Sequence, residues 1–239
     1  MHIQGLCKRF FSSGSGVEVF QDFSMQLPDQ EITAVLGPSG CGKTTLLNIL
    51  AGFVVPDSGS IEGMPGTISY LFQEPRLLPW RTVERNISIV LEHHIADAAR
   101  RRESVDHYLA LVGLQEFAQA YPHELSGGMR QRASIARAFA CPSRMLLMDE
   151  PFQALDLDLK ISLVEAFTSL WEEDPKTAVF VTHDIQEALL VADSVAVFSK
   201  APARELTRIP VPGRRKQRSL TDSALTAAEQ EIVSVLLGR

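Results

Sequence analysis

Apolar positions along the chain follow two rhythms. Val17, Val19, Phe23, Met25 and Leu27 fall at mostly alternate positions, the period of a half-buried strand. Ile32–Leu36, Ile68–Phe72, Met145–Met148, Ala178–Thr182 and Ser194–Phe198 are short, nearly continuous apolar runs of strand length. A helical rhythm stands between them. Ile87, Val90 and Leu91, then Val105, Leu109 and Val112, give a helical pattern from Val83 to about Ala118, with Gly113 placed as a C-cap. Lys43–Ala51 reads as a helix closed by Gly52, Gly128–Ala140 as another, and Ala224–Leu237 as an apolar-periodic segment. Pro56-Asp57-Ser58-Gly59 reads as a turn and Tyr121–Ser126 as a loop. Strands alternating with helices predict a mostly parallel sheet covered by helices, with a helical block at roughly 75–142 inserted into the α/β core.

The first candidate chemistry follows the run Ile32–Leu36. Gly37-Pro38-Ser39-Gly40-Cys41-Gly42-Lys43-Thr44-Thr45 has G-x-x-x-x-G-K-[ST] spacing, with a strand before it and a helix after it. Glycines let the backbone curl until successive N–H groups point at phosphate oxygens, and the helix adds its positive end. Lys43 is a point charge for the β- and γ-phosphates, and the Thr44 hydroxyl is a Mg²⁺ ligand. Met145–Met148 runs into Asp149 and Glu150, two carboxylates that a buried strand end must solvate or bind. Asp149 suits Mg²⁺, and Glu150 then stands to polarise a water near the γ-phosphate. Ser126-Gly127-Gly128 opens a helix with free backbone N–H groups, a second anion-binding terminus.

Composition narrows the partners. A chain of 239 residues, 45% hydrophobic and 22% charged, buries a core without staples. Its net charge of −6 argues against general nucleic-acid binding, which needs a basic face. Cys7, Cys41 and Cys141 lack metal-ligand spacing and fit a reducing compartment; Cys41 reads as a filler, or as a thiol whose modification blocks the loop. Met1 to Phe11 has no long apolar stretch, so no signal peptide is expected. No run approaches the ~20 apolar residues of a membrane helix. His93-His94 are adjacent on a helical pattern and point roughly 100° apart, so they read as a solvated face rather than a metal pair. The basic stretch Arg214-Arg215-Lys216-Gln217-Arg218 reads as a solvated linker, or as a contact for an anionic membrane surface.

Taken together, the phosphate loop, Leu125-Ser126-Gly127-Gly128-Met129-Arg130-Gln131-Arg132 and the Asp149–Glu150 pair resemble the ATPase family of ABC transporters (ATP-binding cassettes). Gln73 after a strand resembles its Q-loop, Ala154-Leu155-Asp156 its D-loop, and His183 after Val179–Thr182 its switch histidine. The resemblance spans about Leu6 to Phe198. Gln73-Glu74-Pro75-Arg76-Leu77-Leu78-Pro79-Trp80-Arg81-Thr82-Val83 is similar to importer ATPases for nitrate, sulfonates and taurine.

The resemblance implies a P-loop NTPase (RecA-like) core, an N-terminal antiparallel β subdomain and the inserted helical subdomain. An ATPase domain would cover 1–210, and a basic linker with a C-terminal helix 211–239. It implies ATP and Mg²⁺, with Gln73 at the metal or the attacking water, His183 on the γ-phosphate, and Asp156 at a dimer contact, where it also suits an N-cap. Phe10 would stack on adenine, with Phe11 as its rival. Two chains would pair head to tail, each Ser126 segment capping the other's ATP. Separate permease subunits would dock on the block from Trp80 to Val112 and the Gln73 loop. A solute-binding protein outside the cell would deliver the solute, placing this chain on the cytoplasmic face of the membrane. Met129 and Gln153 depart from the pattern, which often has Gln and a small residue there. The competing expectations are a non-transport ABC ATPase acting on nucleic acid or ribosomes, which usually carries paired cassettes or coiled-coil insertions, and a P-loop kinase, which would not need the Ser126 segment.

Overall fold

The computed structural model describes residues 1–12, 15–153, 157–219 and 222–238. In chain order the elements are β1 (His2–Ser12), β2 (Ser15–Gln26), β3 (Ile32–Leu36), α1 (Lys43–Leu50), β4 (Ser58–Glu62), β5 (Ile68–Leu71), α2 (Val83–Ser88), α3 (Ala98–Leu111), α4 (Gly127–Ala140), β6 (Met145–Asp149), α5 (Leu157–Glu173), β7 (Thr177–Val181), α6 (Ile185–Val191), β8 (Ser194–Phe198), β9 (Glu205–Pro210) and α7 (Ser223–Leu236). The chain divides into two compact units. One comprises 1–66, 147–150 and 177–239; the other comprises 67–146 and 151–176. Among the described residues no helix is long and apolar enough to cross a membrane.

The first unit holds both sheet types. Its parallel part runs in the order β7, β3, β8, with β9 antiparallel at the edge beyond β8 and the end of β6 beside β7. Every residue of β3, β7 and β8 is buried, which is why these strands read as continuous apolar runs rather than alternating ones. The antiparallel sheet has the order β2, β1, β4. Phe20 and Phe23 of β2 meet at 4.8 Å, and Phe23 meets Phe198 of β8 edge-on at 5.2 Å, so aromatic rings fasten one sheet to the other. β1 carries no clean alternation because its pairing slips three times between Ile3 and Arg9. Only Pro56 and Asp57 of the turn expected at Pro56–Gly59 precede β4; Ser58 and Gly59 are already its first residues, β4 pairs with β1, and Gly59 (φ 97°) passes within 2.6 Å of the Gly5 carbonyl measured from where a Cβ would stand.

The second unit is helical apart from β5 and the start of β6, which lie side by side. α4 is its centre and packs against α2, α3, α5 and β5. Phe139, Phe152, Phe167 and Trp171 form one aromatic cluster around Phe167. The expected helical stretch from Val83 to Ala118 is broken in two. α2 lasts six residues, and Asp97 restarts the chain as α3 by accepting from the N–H groups of Ala99 and Arg100 at 2.8 and 3.2 Å. His93 and His94 lie in the intervening turn, not on a helix, and both are exposed. Gly113 ends α3 in the left-handed conformation, φ 67°, as its position implied.

Within the basic run Arg214, Lys216 and Gln217 are exposed, whereas Arg215 and Arg218 are tied back to the fold. Arg215 forms a paired bond to the Asp193 carboxylate at 2.8 Å on both oxygens and donates to the Val191 carbonyl at 2.6 Å. Arg218 donates to the carbonyls of Leu189, Ala192, Val211, Pro212 and Gly213, capping the C-terminal end of α6. Burial, with Arg215 nearby, pulls the Arg218 guanidinium down to about 10, still protonated at neutral pH.

Candidate functional site

Three neighbouring strands end at one place in the first unit. β3 runs into the phosphate loop, β6 into Asp149 and Glu150, and β7 into Thr182 and His183, with β7 standing between the other two. Ligands of open α/β sheets bind at such carboxyl ends. A cleft of about 300 Å³ here is lined by Ser39, Gly40, Gly42, Lys43, Thr44, Thr45 and Glu150.

The loop from Gly37 through Pro38, Ser39, Gly40 and Cys41 leads into α1, which starts with no side-chain cap, leaving its first amides free for an anion. Gly42 has φ 113°, and a Cβ there would stand 2.4 Å from Cγ1 of Val19. The Lys43 ammonium is buried and donates to the carbonyls of Gly37 and Pro38 at 2.8 and 3.1 Å. The Thr44 hydroxyl donates to Asp149 Oδ1 at 3.3 Å. Glu150 takes a left-handed φ of 47°, a strained backbone for a non-glycine residue, fixed by its N–H bond to the Val181 carbonyl at 2.9 Å. Its Oε2 lies 3.0 Å from Nδ1 of His183, which is 56% exposed. Burial pushes the Cys41 thiol above its ordinary value, opposite to what a reactive thiol needs.

Phe10 of β1 stands opposite Val17 of β2; the Phe10 ring is 42% exposed, and the Lys8 ammonium lies 5.3 Å from its centre. Phe11 is 81% exposed. Either ring is free to stack.

The remaining candidates lie in the second unit. Ser126 caps α4 by accepting from the Met129 N–H at 3.3 Å, so Gly127 and Gly128 begin the helix. Gly127 is exposed; Gly128 is buried because the Leu159 side chain occupies the place of its Cβ. Gln73 is exposed at the end of β5 and donates its side-chain amide to Oε1 of Gln153. Gln73, Glu74, Pro75, Gly127, Arg130, Gln131, Pro151 and Gln153 line a groove of about 250 Å³. Asp156, with Ala154 and Leu155, lies outside the described residues.

Sequence reasoning missed the residues that brace these loops. Arg137 at the end of α4 donates to the carbonyls of Pro75 and Arg76 at 2.9 Å each, and Arg76 holds φ 43°. Gln131 donates to the Pro151 carbonyl at 2.6 Å. Asn86 is fully buried; it accepts from the Leu78 N–H at 2.7 Å and donates to the carbonyls of Leu78, Arg81 and Thr82. Asn86 was findable, since it interrupts the apolar face of Val83, Ile87 and Val90.

A family model described as ABC transporter matches residues 20–153. The chain is 40% identical over 222 residues to the aliphatic sulfonates import ATP-binding protein SsuB 1 of Pseudomonas savastanoi pv. phaseolicola, covering 93% of this chain and 91% of that protein. It is 39% identical over 213 residues to the taurine import ATP-binding protein TauB of Escherichia coli O157:H7, covering 86% and 84%. A solved dimeric post-hydrolysis structure of the ATP-binding cassette MJ0796 bound to ADP and Pi superposes with a TM-score of 0.75 at 27% identity, over 90% of this chain and all of that one. The site and the fold therefore define an ATP-binding cassette. The chain belongs to the ABC transporter family, as one of its ATPases.

Proposed function

We propose that this chain is the ATP-hydrolysing subunit of an importer for a small sulfonate-like solute, the class named for its sulfonate and taurine relatives, with nitrate importers as the neighbouring possibility from the Gln73–Val83 stretch. It works as a homodimer beneath separate permease subunits, on the cytoplasmic face of the membrane, with an external solute-binding protein acting upstream. The observation that carries the ATPase reading is the meeting of the phosphate loop, Thr44–Asp149 and Glu150–His183 at one sheet end.

The donor set fits Mg²⁺. A threonine hydroxyl and a carboxylate are hard oxygen ligands, and here they already face each other. Thr44 and Asp149 would hold the ion, with Gln73 completing its shell; when bound it supplies charge neutralisation to the phosphates. Lys43 has to leave the Gly37 and Pro38 carbonyls to reach the β- and γ-phosphates, so ATP replaces two internal hydrogen bonds with charge-assisted ones. Glu150 accepts a proton from the attacking water or fixes its lone pair toward phosphorus. His183 orients Glu150 and reaches the γ-phosphate. Ser126, Gly127 and Gly128 of a second copy offer α4 amides to the same phosphate, Phe10 stacks on the adenine, and Asp156 serves the seam between copies.

The deciding experiment is Glu150→Gln. Turnover should fall by about 10²–10⁴-fold, the range of a lost general base, while ATP affinity stays within about threefold of wild type. Hydrolysis at the wild-type rate would refute the role of Glu150.

A further inference from the structure

The His183 side chain is 56% exposed, so its place is set less by packing than by the backbone on either side. Thr182, just before it, is buried, and its hydroxyl makes two bonds. It donates to Oε2 of Glu187 at 2.7 Å and accepts from the Asp184 N–H at 3.1 Å. A backbone N–H only donates, which leaves the single hydroxyl hydrogen for the carboxylate. Glu187 lies in the first turn of α6 and is only 3% exposed. A buried carboxylate has to be bonded, and here the bond goes to the residue beside His183.

His183 is thus pinned from both sides. The Thr182 N–H donates to the Val35 carbonyl of β3 at 3.4 Å, in the strand that feeds the phosphate loop. Asp184 caps α6 by accepting from the N–H groups of Gln186 and Glu187 at 2.9 and 3.3 Å. The Val181 carbonyl accepts from the Glu150 N–H at 2.9 Å. The end of β7 therefore holds Glu150 through Val181 and His183 through Thr182, and the two side chains meet at 3.0 Å. All of these groups belong to the first unit.

We propose that Thr182 and Glu187 are positioning residues for hydrolysis: their buried hydroxyl–carboxylate bond ties the start of α6 to the end of β7 and so holds the His183 ring beside Glu150. The inference rests on the role proposed above for His183. The bond can be removed from either end. Valine at position 182 keeps the shape of threonine and has no hydroxyl, whereas serine keeps the hydroxyl. Leucine at position 187 keeps most of the bulk of glutamate and has no acceptor.

The test is ATP hydrolysis by the full chain as wild type, Thr182→Val, Thr182→Ser, Glu187→Leu, His183→Ala and the double variant Thr182→Val with His183→Ala. Each is assayed well below its own melting temperature. The readouts are kcat, KM for ATP and the single-turnover rate at excess enzyme, which resolves the slow His183→Ala background. Thr182→Val should lower kcat about five- to tenfold, the scale of one hydrogen bond, with KM for ATP within about twofold of wild type. Glu187→Leu should lower it by a similar factor, and Thr182→Ser should recover most of the loss. In the His183→Ala background Thr182→Val should change the rate by less than about twofold, because a ring that is absent cannot be misplaced. Thr182→Val or Glu187→Leu equal to wild type, serine as impaired as valine, or an undiminished valine effect without His183 would overturn the assignment. If His183→Ala lowers turnover while Thr182→Val does not, only the assignment of Thr182 and Glu187 fails. If His183→Ala leaves turnover intact, the proposed role of His183 fails, and the assignment with it.

Discussion

At Gly42 two constraints meet: a φ of 113°, and a Val19 methyl 2.4 Å from where a Cβ would stand. Gly42→Ala therefore combines backbone strain with overpacking and should cost about 2–5 kcal/mol, measured by urea denaturation. ATP affinity should fall with it, because Gly42 directs the first amides of α1. Cys41 lies one position earlier, and its buried, upward-shifted thiol should resist alkylation. At pH 7.5, mass spectrometry of iodoacetamide-treated protein should find Cys7 and Cys141, both partly exposed, modified at least about tenfold faster than Cys41. This favours the filler reading of Cys41 over the blocking-thiol one. The glycine and lysine of the loop were legible because chain spacing alone sets their chemistry. The hydrogen bonds that Lys43 makes to Gly37 and Pro38 were not, since they depend on how the loop closes.

Elements add constraints that no single residue carries. The segment ahead of α2 holds Trp80, 71% exposed, on a loop staked by the four bonds of Asn86. Asn86→Ala would strand one buried N–H and loosen three carbonyls; a loss of about 2–4 kcal/mol is expected in denaturant titrations. Trp80 fluorescence would become more accessible to a quencher, and Asn86→Asp would not restore it, since a carboxylate cannot donate to the three carbonyls. At the other end of the chain, β1 and the lead into β4 are joined by Asp57, which accepts from the Lys8 ammonium at 2.8 Å and the Arg9 N–H at 2.7 Å. Lys8 foremost, then the Arg9 amide, hold its carboxyl below the ordinary range. A depressed carboxylate contributes above the unfolded value and loses that contribution as pH falls through the folded one. Asp57→Asn should therefore lower stability slightly near neutral pH and leave it unchanged below the folded value, so the acid limb of its stability–pH curve is slightly flatter than that of the parent.

For the whole molecule the central expectation is pairing of two copies around ATP. Ser126 gives this a clean test. Aspartate caps a helix as well as serine does, so Ser126→Asp should keep α4 and the melting temperature. Its carboxylate would stand where the γ-phosphate of the other copy is expected. In the Glu150→Gln background, light scattering with ATP should show a doubled mass, and adding Ser126→Asp should abolish the doubling. A doubled mass that survives Ser126→Asp would refute the head-to-tail arrangement.

Order along the chain decided the phosphate loop, the acidic end of β6, the Ser-Gly-Gly helix start and the buried strands β3, β7 and β8. Each is written in local spacing or in an uninterrupted apolar run, and local physics suffices to read it. Tertiary structure alone decided that β1 and β4 pair across more than fifty residues, that Arg215 and Arg218 are internal struts rather than a charged linker, and that Gln153 meets Gln73. Those outcomes turn on which distant groups satisfy one another's hydrogen bonds once water is excluded, and no periodicity along a chain records that.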